Sequence, residues 1–436
     1  MNKRKRLLLI SADALIFEDL KYASTLPNFR YLMENGSMVE RLRSIDPTLT
    51  YPCHVTMLTG CRPARHGVWN NETQRPGDAH PPWNWYHDVV RCPDLMDVCK
   101  AAGYTTAAVG WPVTGNHPSI DYLVDEIWPF PTIDDTKQAV DALRERFLTS
   151  GTTQEVLETC TENWMEMRVR RKQPDTAWFS TIVCSNILRR YRPEVTALHI
   201  ATIDTFRHEH GVFGEHIERA LRETDGMLGM LFDALRDIGE FEHTDIVLTA
   251  DHGQIDVDRE VKPNVLFREA GLIRTDAEGR VTDWDAWCHY AGCSGQVILK
   301  HPEDKALRDR VEALLRARIA EGDCGIGKLR TVEETAREEK LSGNFSFVLD
   351  TDGHTRFSSD WKGALLRPFP DGAVGSHGFH PDLGPCPPLI CCGPHFRQGV
   401  VLPRGTLMDG APTWAHILGV QLPDSEGRVL SELLRE

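Results

Sequence analysis

Side chains able to hold a cation recur at four well-separated places in the sequence. Asp13 follows the apolar run Leu7-Leu8-Leu9-Ile10. Asp204 follows a second apolar run, residues 195–203, and His208 stands four residues later. A third run, Ile246-Val247-Leu248-Thr249-Ala250, leads into Asp251-His252-Gly253, and His377 lies between glycines in Gly375-Ser376-His377-Gly378. One acid at the end of an apolar run is an ordinary turn residue. Three of them predict carboxylates converging on one edge of a parallel sheet, where they repel unless a cation neutralises them. Mixed Asp and His donors suit zinc first, with manganese or iron as alternatives. His377, as the partner of Asp204 and His208, would complete a three-donor set with room for a reacting oxygen.

A hydroxyl sits in Pro47-Thr48-Leu49-Thr50-Tyr51-Pro52-Cys53-His54, a loop that reads as turning into a helix near Pro52. Thr50 falls at or next to the N-cap. Two readings stand there. A capping hydroxyl is worth about 1 kcal/mol. A nucleophile would use the anion affinity of a helix start and activation by an adjacent metal.

The elements that must position these residues alternate along the chain. Residues 7–10, 38–45, 105–109, 195–203, 246–250 and 388–392 read as strands, most of them apolar throughout and therefore buried on both faces. Residues 29–35, 95–102, 136–148, 153–167, 214–235 and 413–418 read as helices. Residues 271–365 differ in texture, with a charged helix over 302–319, a strand near 296–299 and polar loops around 351–354. The expected organisation is an α/β core over 1–270 and 366–436 with a small α+β subdomain inserted at 271–365. His289 and His354 are expected to be ordinary residues.

The chain has 436 residues, 41% hydrophobic and 26% charged, with a formal net charge of -15. That balance argues against polymeric nucleic acid as a partner, so an anionic substrate needs local positive charge, which metal ions can supply. The twelve cysteines form no CxxC pair, and Cys391-Cys392 lie in an apolar run, which points to a reducing cytoplasm. The basic start Met1-Asn2-Lys3-Arg4-Lys5-Arg6 imitates a signal peptide, but Ser11 and Asp13 cut the apolar run short. No run is long enough to span a membrane.

Taken in order, these pieces resemble the alkaline phosphatase superfamily and, within it, the nucleotide pyrophosphatase/phosphodiesterase family. The resemblance rests on Ser11-Ala12-Asp13, Leu49-Thr50-Tyr51-Pro52-Cys53-His54 with Leu58-Thr59-Gly60, Arg65-His66-Gly67, Asp204-Thr205-Phe206-Arg207-His208, Asp251-His252-Gly253 and Ser376-His377-Gly378. It implies a three-layer α/β/α sandwich with a mostly parallel central sheet. It also implies two divalent metal ions, one held by Asp204, His208 and His377, the other by Asp13, Asp251, His252 and the nucleophile Thr50. A phosphothreonine intermediate follows from that assignment. Asn71 and the N–H after Thr50 would contact phosphoryl oxygens, and Tyr51 would stack on a flat leaving group. The family often has Asn where this chain has Cys53, which is expected to be packed, and Phe where it has Tyr51.

The expected activity is that of a phosphodiesterase or nucleotide pyrophosphatase acting on a small phosphorylated substrate. Sulfatases share the fold but need Cys or Ser in place of Thr50 and Arg in place of His54. A phosphonate hydrolase of the phosphonoacetate kind is an alternative. A phosphomonoesterase is another, with Arg62 or Arg65 as the extra positive charge. An inactive metal-binding interaction protein is the alternative from outside catalysis. The oligomeric state is left open, a homodimer included.

Overall fold

Leu7 and Leu9 point to one side of the first strand, Leu8 and Ile10 to the other, and all four are buried. A strand apolar on both sides needs a layer on each face. The computed structural model, which describes residues 4–78, 81–126, 133–170 and 172–435, supplies both layers. The N-terminal residues 1–3 of the basic start lie outside the described residues.

The central sheet has eight strands: β1 (Arg6–Ala12), β2 (Ser37–Val39), β3 (Thr106–Val109), β4 (Tyr122–Val124), β5 (Val195–Ile200), β6 (Thr244–Thr249), β7 (Leu389–Cys392) and β8 (Val401–Leu402). Their order is β8-β2-β7-β6-β1-β5-β3-β4. Only β7 runs antiparallel to its neighbours. Because β1 lies between β5 and β6 in parallel register, with Ser11 opposite both His199 and Thr249, the three strands end side by side.

Five helices matter for the site: α1 (Thr50–Thr59), α2 (Glu162–Val169), α3 (Asp175–Tyr191), α4 (Thr202–His210) and α5 (Glu215–Asp237). On one face of the sheet α3 and α5 bury Val183, Ile187, Leu221, Leu228 and Leu231 against Leu8 and Ile10. On the other face α1 buries Met57 and Leu58 with Trp414 against Leu7 and Leu9. Gly60 ends α1 in the left-handed region at φ 69, where a Cβ would lie 2.2 Å from the Ser425 hydroxyl. A second, antiparallel sheet joins Ala286–Ala291, Ser294–Leu299, Phe347–Thr351 and Ile326–Thr331 in that order. Its own apolar cluster holds Trp287, Val297 and Phe347, and also draws in Val261 and Phe267.

Several elements differ from the sequence expectation. The strand expected over 195–203 stops at Ile200, and Thr202 already begins α4. Asp204 is therefore a first-turn helix residue and not a strand end. The strand expected over 38–45 is two short pieces, Ser37–Val39 and Leu42–Arg43. The helix expected over 153–167 is Gln154–Leu157 followed by α2, because Thr153 and Thr161 each stand at a separate helix start. The seventeen-residue α3 was not anticipated. Among the described residues, no helix is long and apolar enough to cross a membrane.

Leu9 is 1% exposed in the middle of β1. Replacing it, Leu9→Ala, should lower the unfolding free energy by about 2–5 kcal/mol. A denaturant midpoint that does not move would contradict the two-faced packing described here.

Candidate active site

The side-by-side ends of β1, β5 and β6 set the geometry. Asp13 follows β1, Asp251 and His252 follow β6, and α4 springs from the end of β5 with Asp204 in its first turn. One turn later, on the same face, comes His208. The donor atoms of Asp204, His208 and His377 all lie within 4.8 Å of one another, and so do those of Asp13, Asp251 and His252.

The first group is oriented by backbone carbonyls. The His208 Nδ1–H donates to the Gly375 carbonyl at 2.9 Å, and the His377 Nδ1–H donates to the Thr48 carbonyl at 2.9 Å. Each ring thereby presents Nε2 toward Asp204 Oδ1, at 3.3 Å and 3.8 Å. A histidine whose other nitrogen donates to a carbonyl is the form that ligates metals. Burial pushes the Asp204 carboxyl up, but His208, His377 and His252 together more than offset this and hold it well below the usual range. Burial lowers His377 to about 4.

In the second group each acid has one oxygen held by the protein and one bare. Asp13 Oδ2 meets His199 Nε2 at 2.9 Å, and Asp251 Oδ1 accepts the Ala14 N–H at 3.3 Å. Asp13 Oδ1 and Asp251 Oδ2 are buried without a hydrogen-bond partner. Both face His252 Nε2, at 3.6 Å and 3.1 Å. Burial, then the charge of Asp204, pushes Asp13 well above the carboxylate range; burial, then Asp13, does the same to Asp251. Bare buried oxygens in like-charged pairs fit a divalent cation, and the donor set suits zinc. Two buried carboxylates are otherwise left without compensation.

Thr50 stands beside the second group, its hydroxyl 3.2 Å from His252 Nε2, and lines the same cavity as Asp204, His208 and His377. Leu49 occupies the N-cap position, and no side-chain cap bond is made, so the capping reading of Thr50 is corrected. His54, one turn along, donates from Nδ1 to the Thr50 carbonyl at 2.7 Å and accepts from the Ser11 hydroxyl at 2.9 Å. Both bonds suit a neutral ring, and burial holds its pKa well below the ordinary value. Cys53 is fully buried beside Ser44.

Asn71 lines a cavity of about 460 Å³ over Thr50. Its Oδ1 accepts the Tyr51 N–H at 2.9 Å, which leaves the amide N–H groups for the cavity. The expectation that the Tyr51 N–H is open to a phosphoryl oxygen is therefore corrected, and Pro52 has no N–H to offer. The expected stacking role of Tyr51 is corrected too. Its ring is fully buried among Val55, Val68 and Val113, edge-on to Trp83 at 5.1 Å, and its hydroxyl bonds to Glu126. The aromatic residues on the cavity wall are Trp83, Phe179 and Tyr290. Arg62 and Arg65 pair with Glu426 and Asp424 and do not line the cavity.

Sequence reading passed over four contributors. His199 bridges Asp13 and the Gly110 carbonyl, the latter at 3.1 Å, and a lone histidine inside the apolar run of β5 was its available signal. Gln254 donates to Asp204 Oδ1 at 2.5 Å. Glu126 and Arg168 line the cavity from segments with no motif.

The family model described as type I phosphodiesterase / nucleotide pyrophosphatase matches residues 7–368. Human ectonucleotide pyrophosphatase/phosphodiesterase family member 1 is 24% identical over 256 residues, 56% of this chain and 23% of that protein. A venom phosphodiesterase of Macrovipera lebetinus is 24% identical over 259 residues, 57% of this chain and 25% of that protein. The matched region is thus about a quarter of the length of these curated relatives. Among solved structures, murine ectonucleotide pyrophosphatase / phosphodiesterase 5 aligns with a TM-score of 0.66 at 17% identity, covering 99% of this chain and all of that one. An inactive threonine-to-alanine variant of the same murine protein, in complex with AMP, aligns equally well.

Protein equilibrated with zinc and then desalted should retain two metal equivalents per chain by elemental analysis, and His377→Ala should retain one. Two equivalents in that variant would show that the donors are grouped wrongly.

Proposed function

The chain belongs to the type I phosphodiesterase / nucleotide pyrophosphatase family, and from that premise we propose that it is a metal-dependent phosphodiesterase or nucleotide pyrophosphatase acting through Thr50. The observation that carries this reading is the position of the Thr50 hydroxyl, 3.2 Å from His252 Nε2 of one three-donor group and on the wall of the cavity that the other group lines. Two zinc ions would be held by Asp204, His208 and His377 and by Asp13, Asp251, His252 and Thr50; when bound they lower the pKa of a hydroxyl and neutralise charge that develops in an in-line displacement.

The remaining work falls to the chain. Thr50 Oγ attacks phosphorus, and its proton passes through solvent to the departing oxygen. The bond from phosphorus to the leaving oxygen breaks on the opposite side, which leaves a phosphothreonine. A water oxygen then attacks the same phosphorus, the Thr50–phosphorus bond breaks, the monoester departs and a proton of that water passes to Thr50 Oγ. The Asn71 amide N–H donates to a non-bridging oxygen, where charge grows in the transition state. His54 holds the Thr50 carbonyl and so fixes the backbone of the nucleophile. A small nucleotide suits the cavity, and the AMP complex of the murine relative supports that choice. We take 271–365 as an inserted subdomain that brings Tyr290 to the cavity wall. A cytoplasmic location is proposed from the twelve unpaired cysteines.

With zinc supplied, initial rates on bis-p-nitrophenyl phosphate should exceed those on p-nitrophenyl phosphate, and the reverse preference would contradict the diesterase assignment. Thr50→Ala should lose activity by about a thousandfold or more while both metals stay bound. Undiminished turnover in that variant would remove Thr50 as nucleophile.

A further inference from the structure

Asn71 is anchored from two sides. On the α1 side its Oδ1 accepts the Tyr51 N–H. On the other side the backbone beneath it is held by the second sheet. Gln296 sits in the strand Ser294–Leu299, 1% exposed and followed by the buried apolar run Val297, Ile298 and Leu299. Its Nε2 donates to the Trp69 carbonyl at 2.8 Å, and its Oε1 accepts from Asn70 Nδ2 at 3.2 Å. The same Asn70 amide donates to the Tyr290 carbonyl on the neighbouring strand at 2.9 Å.

Asn70 also shapes the turn that carries Asn71. Its Oδ1 accepts the Glu72 N–H at 3.0 Å, the bond of an Asx turn. Asn84 closes the turn from outside, with Nδ2 donating to the Asn70 carbonyl at 2.9 Å and the backbone N–H to the Asn71 carbonyl at 2.7 Å. A turn residue alone needs only the Oδ1 bond and can leave its amide N–H groups to water. Asn70 is 2% exposed, and its N–H groups are spent on the second sheet.

A buried, fully bonded pair of amides adds little net stability but fixes one geometry. Docking of this loop does not depend on it. The Trp69 ring packs among Leu341, Phe345 and Val348, and a Cβ on Gly343 would lie 2.5 Å from that ring. What Gln296 adds is the placement of residues 69 and 70, directly before Asn71. A group displaced by about 1 Å from its working position can lose about a hundredfold in rate.

We propose that Gln296 and Asn70 are positioning residues for Asn71, so that the second sheet sets where the Asn71 amide meets a phosphoryl oxygen in the transition state. The proposal rests on the phosphodiesterase reading above and deepens it.

Orthovanadate, which binds as a trigonal bipyramid like the transition state, tests it without turnover. Zinc-loaded parent, Gln296→Leu, Asn71→Ala and the double variant are titrated with it calorimetrically. Gln296→Leu should weaken binding about tenfold in the parent background and less than about twofold in the Asn71→Ala background, with two zinc equivalents retained throughout. A merely structural loss would be the same in both backgrounds. Asn70→Ser, which keeps a turn-forming oxygen and loses the amide N–H groups, should behave as Gln296→Leu does. On bis-p-nitrophenyl phosphate, Gln296→Leu should lower kcat about tenfold and leave KM within about twofold. Gln296→Met, closer in shape, serves if the leucine variant does not fold. Equal losses in the two backgrounds, undiminished vanadate affinity in Gln296→Leu or Asn70→Ser, or a parent protein that does not bind vanadate would overturn the proposal. Coupled vanadate binding in a protein that hydrolyses no diester would instead count against the phosphodiesterase reading alone.

Discussion

Three carboxylates crowded at one sheet edge, Asp13, Asp204 and Asp251, repel one another, and the surroundings are built to hold them in place despite that. Two charges about 4 Å apart at an effective dielectric near 20 oppose each other by about 4 kcal/mol. The protein answers with fixed partners on one side of each acid: His199 on Asp13, the Ala14 N–H on Asp251 and Gln254 on Asp204. The opposite side of Asp13 and of Asp251 is bare. That asymmetry separates a poised cation site from a structural cluster in which every oxygen is satisfied. The cluster of His87, Asp94, Asp97 and His117 is of the second kind. There Asp94 caps a helix with one oxygen and meets His117 with the other, and Asp97 is held by Ser119 and the Asp94 N–H.

The nucleophile loop is held from outside the central sheet as well. Arg330, on the second sheet, bonds Asp46 Oδ2 at 2.5 Å and grips Asp350 with two bonds at 2.6 and 2.7 Å, all three residues buried. Asp46 lies four residues before Thr50, and Thr48 between them supplies the carbonyl that orients His377. Removing one partner of such a buried pair typically costs about 3–5 kcal/mol. The second sheet is thus tied directly to the segment that carries the nucleophile and orients a metal donor.

The layered α/β architecture was legible because β1, β5 and β6 are apolar on both faces, a pattern that only a covered parallel sheet satisfies. Asp13 and Asp251 were readable for the same reason, since residue type and strand end coincide. Asp204 was found through the wrong element, because the apolar run 195–203 continues without a break from strand into the first turn of α4. The inward turn of Tyr51 was not legible. Helix phase decides whether its ring meets the cavity or the apolar cluster of Val55 and Val68, and phase depends on where α1 starts. Glu126 carried no motif, and it became visible only through its bond to the Tyr51 hydroxyl and its place on the cavity wall.

Covalent capture on Thr50 tests the central claim most directly. The zinc-loaded protein is quenched in acid during turnover of bis-p-nitrophenyl phosphate, digested, and mapped by mass spectrometry. The account predicts a phosphoryl adduct on the peptide that carries Thr50, absent from the Thr50→Ala protein. An adduct on any other residue, or steady turnover with no adduct, would contradict it.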